Sequence, residues 1–294
     1  MSLSNFGNNS EITMKKTIIL APIAALALCA NYAQAEPSKK AEKPTAHKAK
    51  GDPQWTPYAS MGLDPSTETL PKYYLGHDCR AIAKKILSLK LKKSEFETTS
   101  AYNERLNVLN AERIAGATKL SDVVGFVPSG ALSTLSDKYD ADRGILRVET
   151  YWGDSMQMLD SQLLTSAKLE YKITSKRSYE ASNAYGKKVL VNSTSYDTCG
   201  IAFSNLQYGT STITKIDESI EMTPEEARAA KGNIAMMYVG NLSAPYWIEY
   251  HDYLKPTIDS PREAAWSGDA IVMKLVQIWL YNKDSGRVYK RIDI

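Results

Sequence analysis

Residues 270–292 read AIVMKLVQIWLYNKDSGRVYKRI, and their reading decides the fold class. Ala270–Tyr281 is dense in Val, Ile, Leu and aromatic residues, Asn282–Gly286 is a short polar loop ending in Gly, and Arg287–Ile292 resumes the apolar pattern. Two such runs joined by a Gly-ending loop predict a β-hairpin. Upstream, Ile145–Trp152, Ala167–Thr174, Lys187–Tyr196, Thr212–Met222 and Asn233–Val239 repeat the composition, separated by Gly, Asn and Asp. That pattern predicts antiparallel sheet. One short helix is expected among the strands, because Thr223-Pro224-Glu225-Glu226 sets a cap, a proline at the first helical position and an acid at the third, with Gly232 past the end.

Before Val123 the apolar period lengthens to that of a helix. Asp78 is placed to cap a helix whose Ile82, Ile86 and Leu89 share one face, and Thr98 to cap a second with Tyr102, Leu106 and Leu109, running to about Ile114. Ser94 and Glu97 have capping-box spacing and predict a tight turn between two antiparallel helices. The expectation is therefore an α+β protein: a two-helix N-terminal portion at 58–120 packed on a mainly antiparallel β-rich domain at 121–294, with one short inserted helix.

Met14–Ala35 has the parts of an export signal: Lys15 and Lys16, an uncharged stretch from Thr17 to Ala30, and Ala33-Gln34-Ala35. The stretch is shorter than the roughly 20 residues a membrane-spanning helix needs and contains Pro22, so cleavage before Glu36 is expected and no stable membrane span. Leu28 before Cys29 does not fit a lipidation signal. Residues 1–13 lie upstream of the signal and bear no fold argument. Residues 36–57 mix Lys, Ala, Pro and Thr without an apolar period and read as a flexible basic linker.

The formal charge is +3, but from Trp55 onward basic and acidic residues balance, which argues against nucleic acid as a partner. Beyond Ala35 the chain holds two cysteines, Cys79 and Cys199. In an oxidising compartment such a pair is expected to form a disulfide. These features predict a periplasmic, or alternatively secreted, protein of a Gram-negative cell.

The segment Tyr74-Leu75-Gly76-His77-Asp78, followed by Lys93-Ser94-Glu95-Phe96-Glu97-Thr98-Thr99, Tyr102 and Arg105, resembles a pattern in exported bacterial proteins of unknown function. The closing hairpin, from Ile278-Trp279-Leu280-Tyr281 to Gly286-Arg287-Val288, is similar to theirs. The resemblance covers about a fifth of the chain and implies an envelope location with no assigned chemistry. Physically, Phe96 reads as a staple, Thr98 as a cap and Arg105 as a partner for nearby carboxylates.

The spacings do not assemble a catalytic centre. His77-Asp78 and His251-Asp252 put neighbouring groups on diverging bonds, and Pro128-Ser129-Gly130 lacks the spacing of a nucleophile elbow. Asp137, Asp140, Asp142 and Gly144 resemble a calcium loop but in the wrong order, and read better as a polar turn. No metal and no cofactor are expected. Tyr246, Trp247, Tyr250, His251 and Tyr253, next to Pro245, are the candidate binding residues, because aromatics with polar tips suit protein or sugar contacts; packing around a loop is the competing reading. The expected function is non-enzymatic binding of an envelope protein or cell-wall component. The alternatives are an inhibitor or immunity factor, and then a hydrolase using His251 or His77.

Overall fold

A computed structural model describes residues 58–89, 91, 93–129, 135–153, 155–209 and 215–294. The export signal, the linker and the first residues of the Thr212–Met222 strand lie outside them. Two units are distinguished: Trp55–Tyr179 with Leu190–Ile294, and Met1–Gln54 with Glu180–Val189. Within the described part of the second unit, Asn183 Oδ1 accepts the backbone N–H of Tyr185 (3.1 Å) and Lys187 (3.0 Å), and Lys188 pairs with Glu180.

The larger unit is built on strands. In chain order the elements are α1 (Cys79–Ser88), α2 (Thr99–Leu109), β1 (Arg113–Ala115), β2 (Thr118–Lys119), β3 (Val123–Phe126), β4 (Ser136–Asp140), β5 (Ile145–Tyr151), β6 (Ser155–Leu159), β7 (Gln162–Ser182), β8 (Lys188–Gln207), β9 (Lys215–Glu221), α3 (Pro224–Ala230), β10 (Ile234–Leu254), β11 (Arg262–Asn282) and β12 (Val288–Asp293). The main sheet runs β3-β10-β11-β8-β7-β6, with β12 also on β11; β4-β5-β9 form a second sheet and β1-β2 a small ribbon.

This corrects the expected α+β arrangement of a two-helix portion packed on a mainly antiparallel domain. α1 forms as expected, capped by Asp78 and burying Ile82, Ala83 and Ile86. α2 is capped by Thr98 but stops at Leu109 and buries no residue, because the chain turns at once into the β1-β2 ribbon. Phe96 is 89% exposed and staples nothing. Arg105 does pair with Glu97, at 2.8 Å. α3 forms with the full capping box of Thr223 and Glu226. The main sheet is mixed, since β11 lies parallel to β8 from Arg262↔Asn192 to Met273↔Phe203.

The core follows from the two sheets. Leu146, Val148, Ile216 and Ile220 from the second sheet meet Ile201, Phe203, Ile271, Met273, Tyr238 and Leu280 from the main one, with Ile82 and Ile86 of α1 and Ala227 and Ala230 of α3. The other face of the main sheet buries Met237, Val239, Trp279 and Tyr281 under Leu63, Leu70 and Tyr74. Cys79 on α1 and Cys199 on β8 stand as a disulfide pair, 120 residues apart in sequence. Among the described residues no helix is long and apolar enough to cross a membrane.

Two of the long strands, β10 and β11, change neighbours along their length. β11 borders β8 up to Met273 and β12 from Gln277. At the hand-over, Asn205 donates to Leu275 O and accepts Leu275 N–H, both at 2.9 Å. β10 borders β3 at Tyr238–Asn241, then bulges between Leu242 and Trp247. Past the bulge the sheet has curled so far that its terminal strand, β6, meets β10. There the Gln157 carboxamide donates to His251 O and accepts His251 N–H, again both at 2.9 Å. Ser155 and Tyr250 hydroxyls meet at 2.7 Å beside it.

Replacing Gln157 with Leu keeps the volume but leaves the His251 N–H and C=O without partners. A loss of about 2 kcal/mol in urea unfolding is expected, with faster amide exchange at His251. Unchanged protection there would show that the seam does not rest on this amide. Replacing both Cys79 and Cys199 with Ala releases a long loop, and a cost of about 2–5 kcal/mol is expected in the same assay.

Candidate functional site

The five aromatic and histidine candidates all fall on β10, but not on one surface. Tyr246 sits in the bulge at φ 70° and is buried. Trp247 is half-buried and its indole N–H donates to Asp269 Oδ1 at 2.8 Å. Tyr250 is fully buried, while His251 turns its exposed ring toward Glu249 at 3.4 Å. Tyr253 is exposed, and its hydroxyl donates to Glu263 Oε1 at 2.5 Å, a bond that pushes the phenol up to about 12. Strand alternation sends Tyr250 to one face and Trp247, His251 and Tyr253 to the other.

The Tyr250 face gathers residues that sequence reading did not single out. Asp252 is in register with Trp266, and Trp266 with Tyr196 on the parallel neighbour. Trp266 and Tyr196 stack with centroids 5.1 Å apart and planes 9° apart, and Tyr171 meets Tyr196 edge-on at 5.1 Å. Lys168, reaching across the β6-β10 seam, lies 4.7 Å above the Trp266 ring and binds Asp252 Oδ2 at 2.5 Å. Lys168 is nearly buried and Asp252 is partly open, so the pair sits at the rim of the curl.

Two glycines make room for this cluster. A Cβ at Gly200 would come within 2.8 Å of the Tyr250 ring, and one at Gly268, where φ is +148°, within 2.1 Å of the Thr198 carbonyl oxygen. Beside them the buried Thr198 hydroxyl has no hydrogen-bond partner among the described residues. The face thus offers aromatic edges and a compensated charge pair, over a hydroxyl that is itself buried. Those are groups for holding a partner.

The opposite face carries a second polar row. Glu263, beside Ser193 in register, accepts from Tyr253 and faces Arg177 at 3.9 Å. Burial pushes its carboxyl up, but hydrogen bonds from Ser193 and Tyr253 and the Arg177 charge outweigh this and hold it below the usual range.

The remaining candidates serve the fold. His77 is buried; Nδ1 accepts Gly125 N–H at 3.0 Å, which leaves the proton on Nε2 to donate to Met61 O at 3.0 Å. The thiols of Cys79 and Cys199 are joined to each other. In the acidic run, Asp140 Oδ1 accepts the N–H of Asp142 and Arg143, and Asp137 Oδ2 accepts Gly232 N–H, so the run is a turn and a tie to the end of α3. Among the described residues no three His, Cys, Asp or Glu side chains gather as metal ligands.

Burial lowers the His77 pKa below its ordinary 6.5, because the ring is held neutral. The unfolded chain takes up a proton near 6.5 and the folded chain does not, so this stabilisation is complete above that pH and declines as pH falls below it. The stability gap between wild type and His77→Gln is expected to shrink from pH 7.5 to pH 5 in urea titrations. A constant gap would mean the ring does not titrate differently in the two states. Compared with known proteins, the chain matches no family model, no curated protein and no solved structure.

Proposed function

We propose that this protein is a non-enzymatic extracytoplasmic protein that binds another component of the cell envelope, acting in the periplasm or after secretion. The observation that carries the reading is the half-open row of Tyr171, Tyr196, Trp266 and Asp252 on a sheet pinned by the Cys79–Cys199 pair. Partly buried aromatics with polar tips give a contact surface at small entropic cost, since they are already held in place. The side chains most suited to chemistry support the same reading: His77 and the two cysteines are engaged in holding the fold, and Lys168 is neutralised by Asp252. The export signal and the disulfide-forming cysteines favour an oxidising compartment.

A second reading, an inhibitor or immunity factor that plugs an enzyme's cleft, draws on one feature. Tyr185 stands at the turn between β7 and β8 and is 88% exposed, the form of an aromatic probe. The two readings differ in which residue matters.

Crosslinking in intact cells with a photoreactive residue at Tyr171 or at Tyr185 separates them. Capture of an envelope partner from position 171, reduced several-fold by Tyr196→Ala, is expected; capture only from 185 would favour the inhibitor. This chain, recovered from the same cells, is expected to begin at Glu36 by mass spectrometry, and a retained Met14 would sink the export reading.

A further inference from the structure

β7 is bordered by β8 on one side and by β6 on the other, but β6 reaches only from Gln162 to Ser166. Past that point Leu169 O accepts the N–H of Ser129 at 2.7 Å, and among the described residues no strand follows on that edge. From Tyr171 to Ser178 every residue is exposed, so the strand is wet on both faces as well as on its edge. Backbone N–H and C=O groups on such an edge are unfilled ladder positions, and a bare edge of this length invites pairing.

The charge on it is one-sided. Tyr171–Tyr179 reads YKITSKRSY, with Lys172, Lys176 and Arg177 and no acid. Lys172 and Lys176 make no ion pair among the described residues, and Arg177 stands 3.9 Å from Glu263. Lysine on an edge strand keeps out copies of itself, since like charges oppose the approach. The same lysines favour an extended segment that brings carboxylates. We infer that the outer edge of β7 from Tyr171 to Tyr179 is a docking strand for an extended acidic segment of a partner protein, which adds to the sheet by backbone pairing.

This deepens the envelope-binding reading and rests on it. Residues along an antiparallel edge point their N–H and C=O alternately in and out. Between Tyr171 and Arg177 the alternation is broken, since Tyr171 lies with Tyr196 on one face and Arg177 with Glu263 on the other. At Ser178 it is fixed: Ser178 Oγ donates to Asn192 Oδ1 at 2.8 Å across the β7-β8 pair, and Asn192 donates its N–H to Pro261 O at 2.9 Å, away from β7, so the N–H of Ser178 points outward. A proline at Ser178 therefore removes a docking donor without removing a bond to β8.

The test is fluorescence anisotropy of the full chain with a labelled nine-residue peptide alternating Glu with Thr or Val. Wild type is expected to bind, and Ser178→Pro and the double variant Lys172→Glu/Lys176→Glu each to bind about tenfold more weakly at unchanged melting temperature. Should Ser178→Pro fail to fold, the same peptide with alternate N-methyl groups tests backbone pairing on the wild type, and the expected loss is again about tenfold. Absence of binding by wild type, full binding by Ser178→Pro or by the N-methylated peptide, or equal binding of a non-strand polyanion such as polyphosphate overturns the inference. Capture in cells from position 171 is a separate readout: if it persists with Ser178→Pro, envelope binding stands and strand addition falls.

Discussion

With a single carboxamide, Gln157 takes the place that a strand's backbone would occupy beside His251, and the curl of the main sheet depends on that substitution. A sheet whose last strand returns toward an earlier one must either complete a ladder or leave donors and acceptors unpaired in a buried place. Here the side chains of Gln157, Ser155 and Lys168 satisfy the seam through His251, Tyr250 and Asp252. Asn205 does the same at Leu275, where β11 passes from one neighbour to the next. Both amides supply a donor and an acceptor side by side, the arrangement of an extended peptide unit.

The seam also explains where the polar cluster lies. Lys168 and Asp252 are on strands far apart in the order of the sheet and meet only because the sheet has curled. Trp266 covers one flank of the ammonium, and Gly200 leaves space for the Tyr250 ring. Isolated, a nearly buried lysine would be costly. Its pairing with a partly open carboxylate sets the boundary between the sealed interior of the curl and the accessible row of Trp266, Tyr196 and Tyr171.

Much of the local structure was legible in the sequence. The caps at Asp78, Thr98 and Thr223 and the turn at Asn282–Gly286 are short-range devices, and each forms where its residues predict. Strand length was not legible. β7 continues through residues that are polar on both faces, where alternation gives no signal; β10 runs through Pro245, which reads as a break; and β11 begins at Arg262, well before the apolar run at Ala270. The parallel pairing of β8 with β11 depends on tertiary order, so Tyr196 and Trp266, which meet only through it, left no local trace. The aromatic run at 246–253 was visible as a cluster in sequence, but strand alternation divides it between two faces.

Between residue 36 and the end of the sequence the chain carries only the two cysteines that join α1 to β8. Helix α1 is made early, and its thiol waits while all of β1 to β7 follow. For that interval it has no competing thiol within the same stretch of chain. Once Cys29 is removed with the export signal, the cross-link has one possible connectivity within this sequence. Maturation of the cleaved chain then calls for an oxidant but gives a disulfide isomerase no intramolecular error to correct, and the remaining hazard is pairing between two molecules that are still incomplete.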